Sequence, residues 1–366
     1  MFGASENLPF TAGEWQFGFA YRGLTSNDHY NGVVYQETRA ENDTYVINTQ
    51  QIYDLNVTYT ATPRFNVAAS LPVVNASWSL PAVQNQMGEL VRIGPRSEQN
   101  ASGIGDFTAL ARYWLLDPVK HPRGNISAGL GFKAPTGDEA VTDDYALLDG
   151  TNPSEKPVDI SIQPGDGGWG ILFDFQGYRR WSRVALYGSG TYLANPRDTN
   201  GTSSIVAGLG FTVPGLMENT VPDQYLLRLG TSFPVAKTGL ALVIGLRMEG
   251  VPRYDLFGDS HGFRRPGYET FAEPGVAWTH GNSTWSLHVP IGLVRNRRPN
   301  PYTGAPGDAT FPDAIVLFGY SYRFGGAPLP PATREPSGPG APSDPGAPSA
   351  AARYSPGICD GPANQR

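Results

Sequence analysis

The feature that most constrains this chain is a strict alternation of apolar and polar side chains, repeated over short segments. In Trp15-Gln16-Phe17-Gly18-Phe19-Ala20-Tyr21 every odd position is aromatic. Tyr53, Leu55, Val57 and Tyr59 alternate with Asp54, Asn56 and Thr58, and Phe65, Val67, Ala69 and Leu71 follow against Asn66, Ala68 and Ser70. The same period returns at 107–115, 126–132, 169–176, 184–193, 225–229, 240–248, 276–278, 285–291 and 316–324, which makes twelve segments. A period of two is the mark of a strand whose two faces meet different surroundings.

The connections between these strands alternate in length. Five are short and rich in Pro, Gly or Asn; six are long, at 23–49, 73–103, 135–166, 194–221, 250–266 and 295–313. Short turns at one end and long loops at the other, with an even strand number, is the pattern of a transmembrane antiparallel up-and-down β-barrel. A soluble sandwich would mix loop lengths and favour aliphatic faces. The expected fold is therefore all-β: a twelve-stranded barrel over 1–324 with six long extracellular loops and five short periplasmic turns. The segment 203–215, with its own run Ile205-Val206-Ala207, reads as structure inside the fourth long loop, because an extra strand would break the alternation.

Composition agrees. Charged residues are only 16% of the chain and aromatics 11%, against about 25% charged in a typical soluble domain. The net charge of −6 argues against nucleic acid. No apolar run is long enough for a membrane helix, but a barrel strand needs only 9–11 residues, half of them facing inward. Residues 1–12 lack a signal-peptide pattern, so an exported form is expected to be a processed one. The single cysteine, Cys359, excludes an internal disulfide and any all-cysteine metal site. In the stretch 325–366, 17 of 42 residues are Gly or Pro. Such a segment buries too little apolar surface to offset its ordering entropy. It is expected to be a disordered periplasmic tail, able to order on a periplasmic partner.

If the apolar parity touches lipid, the other parity looks inward. That set holds the cations Arg22, Arg64, Arg112, Lys133, Arg183, Arg228, Arg247 and Arg323 and the anions Asp54, Asp106, Asp174, Glu249 and Glu273, together with Asn56 and His288. Two readings follow. These charges form a salt-bridge network that fills the barrel, or they line a narrow polar pore with a cationic excess.

Catalysis finds little support. Ser286 and His288 share a strand face, the spacing that an outer-membrane hydrolase would use, but their lipid-side neighbours are Leu287 and Val289. His288 therefore reads as an interior hydrogen-bonding residue. The loop acids Asp138, Glu139, Asp143 and Asp144 lack calcium-loop spacing and read as solvated or lipopolysaccharide-facing charge. No metal or cofactor is expected. Arg264 and Arg265, beside the rigid Pro266-Gly267 turn, read as a loop clamp or pore-mouth pair, with Asp255 or Asp259 as partners.

Several short motifs in order carry a resemblance: Gly103-Ile104-Gly105-Asp106-Phe107; 130–138, Leu-Gly-Phe-Lys-Ala-Pro-Thr-Gly-Asp; Val221-Pro222-Asp223-Gln224-Tyr225; 262–268, Gly-Phe-Arg-Arg-Pro-Gly-Tyr; and Glu273-Pro274-Gly275. Over about residues 100–325 the chain resembles the outer-membrane transporter-like barrels grouped with the meta-pathway phenol-degradation proteins. The resemblance implies a bacterial outer-membrane barrel passing small, often aromatic or hydrophobic, compounds, with no catalytic residues. Two functions are carried forward. One is passive passage of a small solute, aromatic, hydrophobic or anionic. The other is a non-conducting scaffold holding partners through its loops or tail.

Overall fold

The computed structural model describes residues 11–326 other than 119, 182–183, 236–237 and 305–306. Arg183 lies outside the described residues, as do Cys359 and the tail beyond Gly326. The barrel strands are β1 (Glu14–Asn31), β2 (Ile47–Thr62), β3 (Phe65–Gln86), β4 (Glu89–Ile104, continued as Phe107–Trp114) and β5 (Gly124–Ala134). They go on as β6 (Gly170–Trp181), β7 (Val184–Ala194), β8 (Gln224–Pro234), β9 (Leu240–Val251) and β10 (Gly267–His280). The circuit ends with β11 (Ser283–His288, continued as Ile291–Arg297) and β12 (Asp308–Gly325). Each pairs antiparallel with the next, and β12 returns to β1 from Glu14↔Gly325 to Asn31↔Asp308, closing a twelve-stranded barrel.

Register puts like with like. Trp15, Phe17 and Phe19 face Tyr59, Val57 and Leu55 on one side of the sheet, while Gln16, Gly18 and Ala20 face Thr58, Asn56 and Asp54 on the other. The apolar parity is the exposed one: Phe17, Leu55, Leu130, Phe173, Leu229 and Ile244 all point outward. The polar parity is buried, with Gln16, Asn66, Ser127 and Asp174 enclosed. In water such an apolar belt would be an aggregation surface. In lipid each of these side chains gains roughly 1.5–3 kcal/mol for full removal from water, and closure leaves no unpaired edge. At the short-turn end an aromatic girdle assembles: Trp15 on Tyr59 (4.6 Å), Trp278 on Trp285 (4.9 Å) and Trp285 on Tyr320 (5.5 Å).

The long connections are less loop-like than the sequence suggests. The expected loop 73–103 is a β-hairpin, the upward continuation of β3 and β4, and its true turn is Met87-Gly88. Both turn residues have positive φ (56° and 93°), the two-residue geometry that matches strand twist. On the rising strand the alternation continues with its parity reversed, Ala76, Trp78 and Leu80 apolar against Asn75, Ser77 and Ser79, because above the bilayer the apolar side turns inward onto protein. The hairpin's inner face, Ala76, Trp78, Leu80 and Ala101, packs against Tyr145, Val158, Ile162 and Ile205 from the third and fourth long connections. This makes a second apolar core above the barrel. Segment 203–215 contributes no barrel strand: it holds a short helix, Ile205–Gly208, next to a ribbon pairing Thr199–Ser203 with Glu218–Thr220.

Candidate functional site: the barrel interior and its mouth

The interior is crossed by ion pairs between strands that are not neighbours. Arg22 on β1 reaches Glu249 on β9 (2.5 and 3.0 Å), a chord past β10, β11 and β12. Arg247 on β9 shares the same carboxylate (2.6 and 2.9 Å). Arg228 on β8 pairs with Glu273 on β10 across β9, whose Gly245 lies in register with Glu273. Arg247 also lies 3.9 Å from Glu273, and His288 turns Nδ1 toward it at 3.2 Å. On the far wall Arg112 of β4 donates to Asp174 of β6 (2.8 Å), past β5, where Gly129 and Gly131 face inward. Lys133 binds Asp166, which descends from the third long connection, and lies 3.6 Å from Asp106.

The side chains of Arg247, Lys133 and His288 are 0% exposed and Glu273 is 1%. Long side chains in small-bore barrels occupy the bore, and here the charges neutralise one another in the middle of it. Ions buried this way hold only while paired. Asp54 accepts from Ser70, and Asn56 covers the inward Gly18. Asp106 sits at the break in β4 and accepts from the Gly137 amide (3.0 Å). Arg323 is at the inner end, 3.7 Å from Glu14 and about a third exposed.

At the mouth, Arg264 is buried and donates to both oxygens of Asp255 (2.5 and 2.6 Å) and to the Pro252 carbonyl (3.0 Å). Asp255 in turn accepts from the Asp223 amide at the mouth end of β8 (2.9 Å). Arg265 clamps Asp159 of the third long connection through two bonds (2.7 and 2.6 Å). Burial disfavours the charged form of Asp159, but Arg265 and Ser161 override it and hold the carboxyl below its ordinary range. The fifth connection is thus tied to itself and to the third.

Two interior features escaped the sequence reading. Glu269 and Arg295 pair at 3.2 Å, because β10 begins at Gly267 and β11 runs to Arg297, beyond the boundaries that alternation gave. Phe271, Ile315 and Leu317, with Leu24 against them, form a buried apolar patch inside the barrel. The signal was present in β12, where Ile315 and Leu317 are apolar on the opposite parity from Val316 and Phe318. Among the described residues, one group has metal-ligand types within reach of one another: Asp198, Asp259 and His261, on exposed loops, where Asp198 already accepts from the Asp259 amide (2.8 Å).

A closed antiparallel sheet with an apolar outer belt, an aromatic girdle and an ion-paired interior defines the class: a membrane-spanning β-barrel of the outer-membrane type. No protein-family model matches the chain, and no curated protein matches it. Among solved structures, an outer-membrane channel from Pseudomonas putida F1 overlaps with a TM-score of 0.54 at 15% identity, over 87% of this chain and 97% of that one. The translocator domain of the autotransporter NalP from Neisseria meningitidis gives 0.43 at 13% identity, over 86% and 89%. The toluene transporter TbuX from Ralstonia pickettii gives 0.41 at 10% identity, over 86% and 90%. The first overlap shows that the fold extends over nearly the whole of a known outer-membrane barrel.

Proposed function

We propose that the chain is a channel of the bacterial outer membrane that passes a small, apolar or aromatic solute passively, in a bilayer bearing lipopolysaccharide. The observation that carries this reading is the enclosed interior, where a buried apolar patch of Phe271, Ile315 and Leu317 adjoins the ion-paired layer. The likeness to an outer-membrane channel over 87% of the chain supports it, as does the resemblance of its short motifs to those of the meta-pathway phenol-degradation group. Arg22, Asp54, Asn56, Asp106, Arg112, Lys133, Asp174, Arg228, Arg247, Glu249, Glu273, His288 and Arg323 are proposed as the lining, and Arg264 and Arg265 as the mouth clamp. No catalytic role is proposed for any of them.

The closed ion-pair layer favours a second reading as well, a non-conducting barrel that serves as a scaffold. A tail-held periplasmic partner belongs to that reading and concerns residues outside those described. Uptake of radiolabelled toluene by cells carrying the full-length protein, compared with cells lacking it, tests the channel. Uptake no faster than in cells lacking it, together with silence in planar bilayers at all voltages and salts, would leave the scaffold.

A further inference from the structure

Charge is sorted by end in this barrel. The long connection 135–166 holds eight acids and one lysine. At the short-turn end, the stretches 115–123 and 179–183 hold Lys120, Arg123, Arg179, Arg180 and Arg183 against one acid, Asp117. These two stretches lie side by side. Arg179 stands in register with Gly124, and the Arg180 amide donates to the Arg123 carbonyl (2.7 Å). Lys120, Arg123, Arg179 and Arg180 are all exposed, and no described carboxylate forms an ion pair with any of the four. Inside the barrel, by contrast, Arg22, Arg112, Lys133, Arg228 and Arg247 each have one.

The turn that carries them is braced from within. Asn125, which is buried, accepts from the Leu116 amide (3.0 Å) and donates to the Leu116 carbonyl (2.9 Å). The His121 amide donates to the Asp117 carbonyl (2.8 Å). Arg64 belongs to this brace, since it donates to the Trp114 carbonyl (3.0 Å) and lies over the Tyr113 ring. Arg179 has the outward parity of Phe173 and Phe175. Its side chain lies flat on the wall: a Cβ on Gly124 would stand 3.0 Å from its Cδ and 3.4 Å from one guanidinium nitrogen. Leu115, Leu116, Ile126 and Trp181 around it are exposed. Trp169 and Trp181, both exposed and both on that parity, stand twelve residues apart. At a rise of about 3.3 Å per residue and a tilt of about 40°, that is roughly 30 Å along the barrel axis, so the two rings bracket an apolar band about 25 Å tall. Arg179, two residues from Trp181, is therefore at headgroup level on the short-turn side, where a long basic side chain keeps its stem on the apolar wall and its charge in the polar layer.

We propose that Lys120, Arg123 and Arg179 form a binding site for an anionic phospholipid of the phosphatidylglycerol type in the periplasmic leaflet. The phosphodiester sits against the two guanidinium groups, which suit its paired oxygens, and the acyl chains run up the wall over Ile126. A zwitterionic headgroup fits less well, because it brings its own ammonium into a cluster of cations. The exposed apolar side chains around the cations point to a lipid rather than a soluble acid. Arg180 lies over the Tyr178 ring (5.1 Å), on the inward parity, and adds only to the field. The site holds whether or not the barrel conducts.

The test uses the full-length protein in nanodiscs holding phosphatidylcholine and phosphatidylglycerol in equal amounts. Native mass spectrometry after gentle release counts the lipids that stay bound. The unmodified protein retains phosphatidylglycerol in preference to phosphatidylcholine. Arg123→Gln with Arg179→Gln lowers that preference about fivefold for each cation removed, the equivalent of about 1 kcal/mol apiece. Arg123→Lys with Arg179→Lys keeps most of it, because the charge remains. Arg253→Gln with Arg298→Gln, which removes two exposed cations from the long connections, leaves it unchanged. Retention of the two lipids in equal measure by the unmodified protein overturns the site and leaves its cations to an acidic periplasmic protein. Equal losses in the two Gln pairs overturn it as well, since the effect then follows net charge alone. Heat-modifiable migration on gels shows that each variant is folded, and the unmodified protein is decisive even if a variant does not fold.

Discussion

Replacing Glu273 by Gln removes one negative charge from the most enclosed part of the interior and keeps the shape of the side chain. Three groups face this carboxylate: Arg228, Arg247 and His288. Removing one partner of a buried pair costs about 3–5 kcal/mol, because the remaining charge is left uncompensated. Arg247 keeps Glu249 at 2.6 Å, so the loss falls chiefly on Arg228, whose side chain is 7% exposed. The expected destabilisation is therefore about 3 kcal/mol, the low end of that range. Urea unfolding in detergent micelles, followed by tryptophan fluorescence and heat-modifiable migration, measures it. Adding Arg228→Gln removes the cation that faced Glu273 and should recover a large part of the loss, the signature of a coupled pair. A cost below about 1 kcal/mol, the range of exposed pairs, would refute the reasoning: the carboxylate would then be exchanging its charge with water, and the interior would be an open pore.

Leu229→Arg, at an outward position 62% exposed, should cost about 2–4 kcal/mol in a lipid or micelle environment; a change within about 0.5 kcal/mol, usual for a water-facing site, would place that face in solvent. Arg264→Ala leaves Asp255 buried without its bidentate partner and should raise the rate of limited proteolysis in 252–266 by about a hundredfold, from a local cost of about 3 kcal/mol; unchanged cleavage would show that the clamp does not order the loop. Burial opposes ionisation of Asp159, yet Arg265 holds its carboxyl below the ordinary range. A depressed folded value gives stability that is present above the unfolded value near 3.9 and lost as pH falls below it. Cleavage of 135–166 by an acid-active protease should accordingly accelerate below about pH 4, and Asp159→Asn should abolish that pH dependence while raising cleavage at neutral pH.

The long cross-strand contacts explain where sequence reading worked and where it stopped. Arg264 with Asp255 was within reach, because the two lie nine residues apart in one loop. Arg265 with Asp159 was not, since 106 residues separate them and only the docking of two loops joins them. Arg22 and Glu249 both carried the right parity, but their union over 227 residues needs the barrel to be closed. Hairpin residues 73–103 read as loop because the apolar parity reverses at Val74, where the side that meets protein rather than lipid becomes the apolar one.

By itself the sequence determined the material of the wall: which residues form strands, which side of each strand meets lipid, and how many strands there are. These follow from a period of two and from turn chemistry, both local properties of the chain. Only the tertiary structure decided which charges neutralise which, and that an apolar patch lies among them. Chords across a barrel depend on closure and stagger, which bring together residues that no local pattern relates.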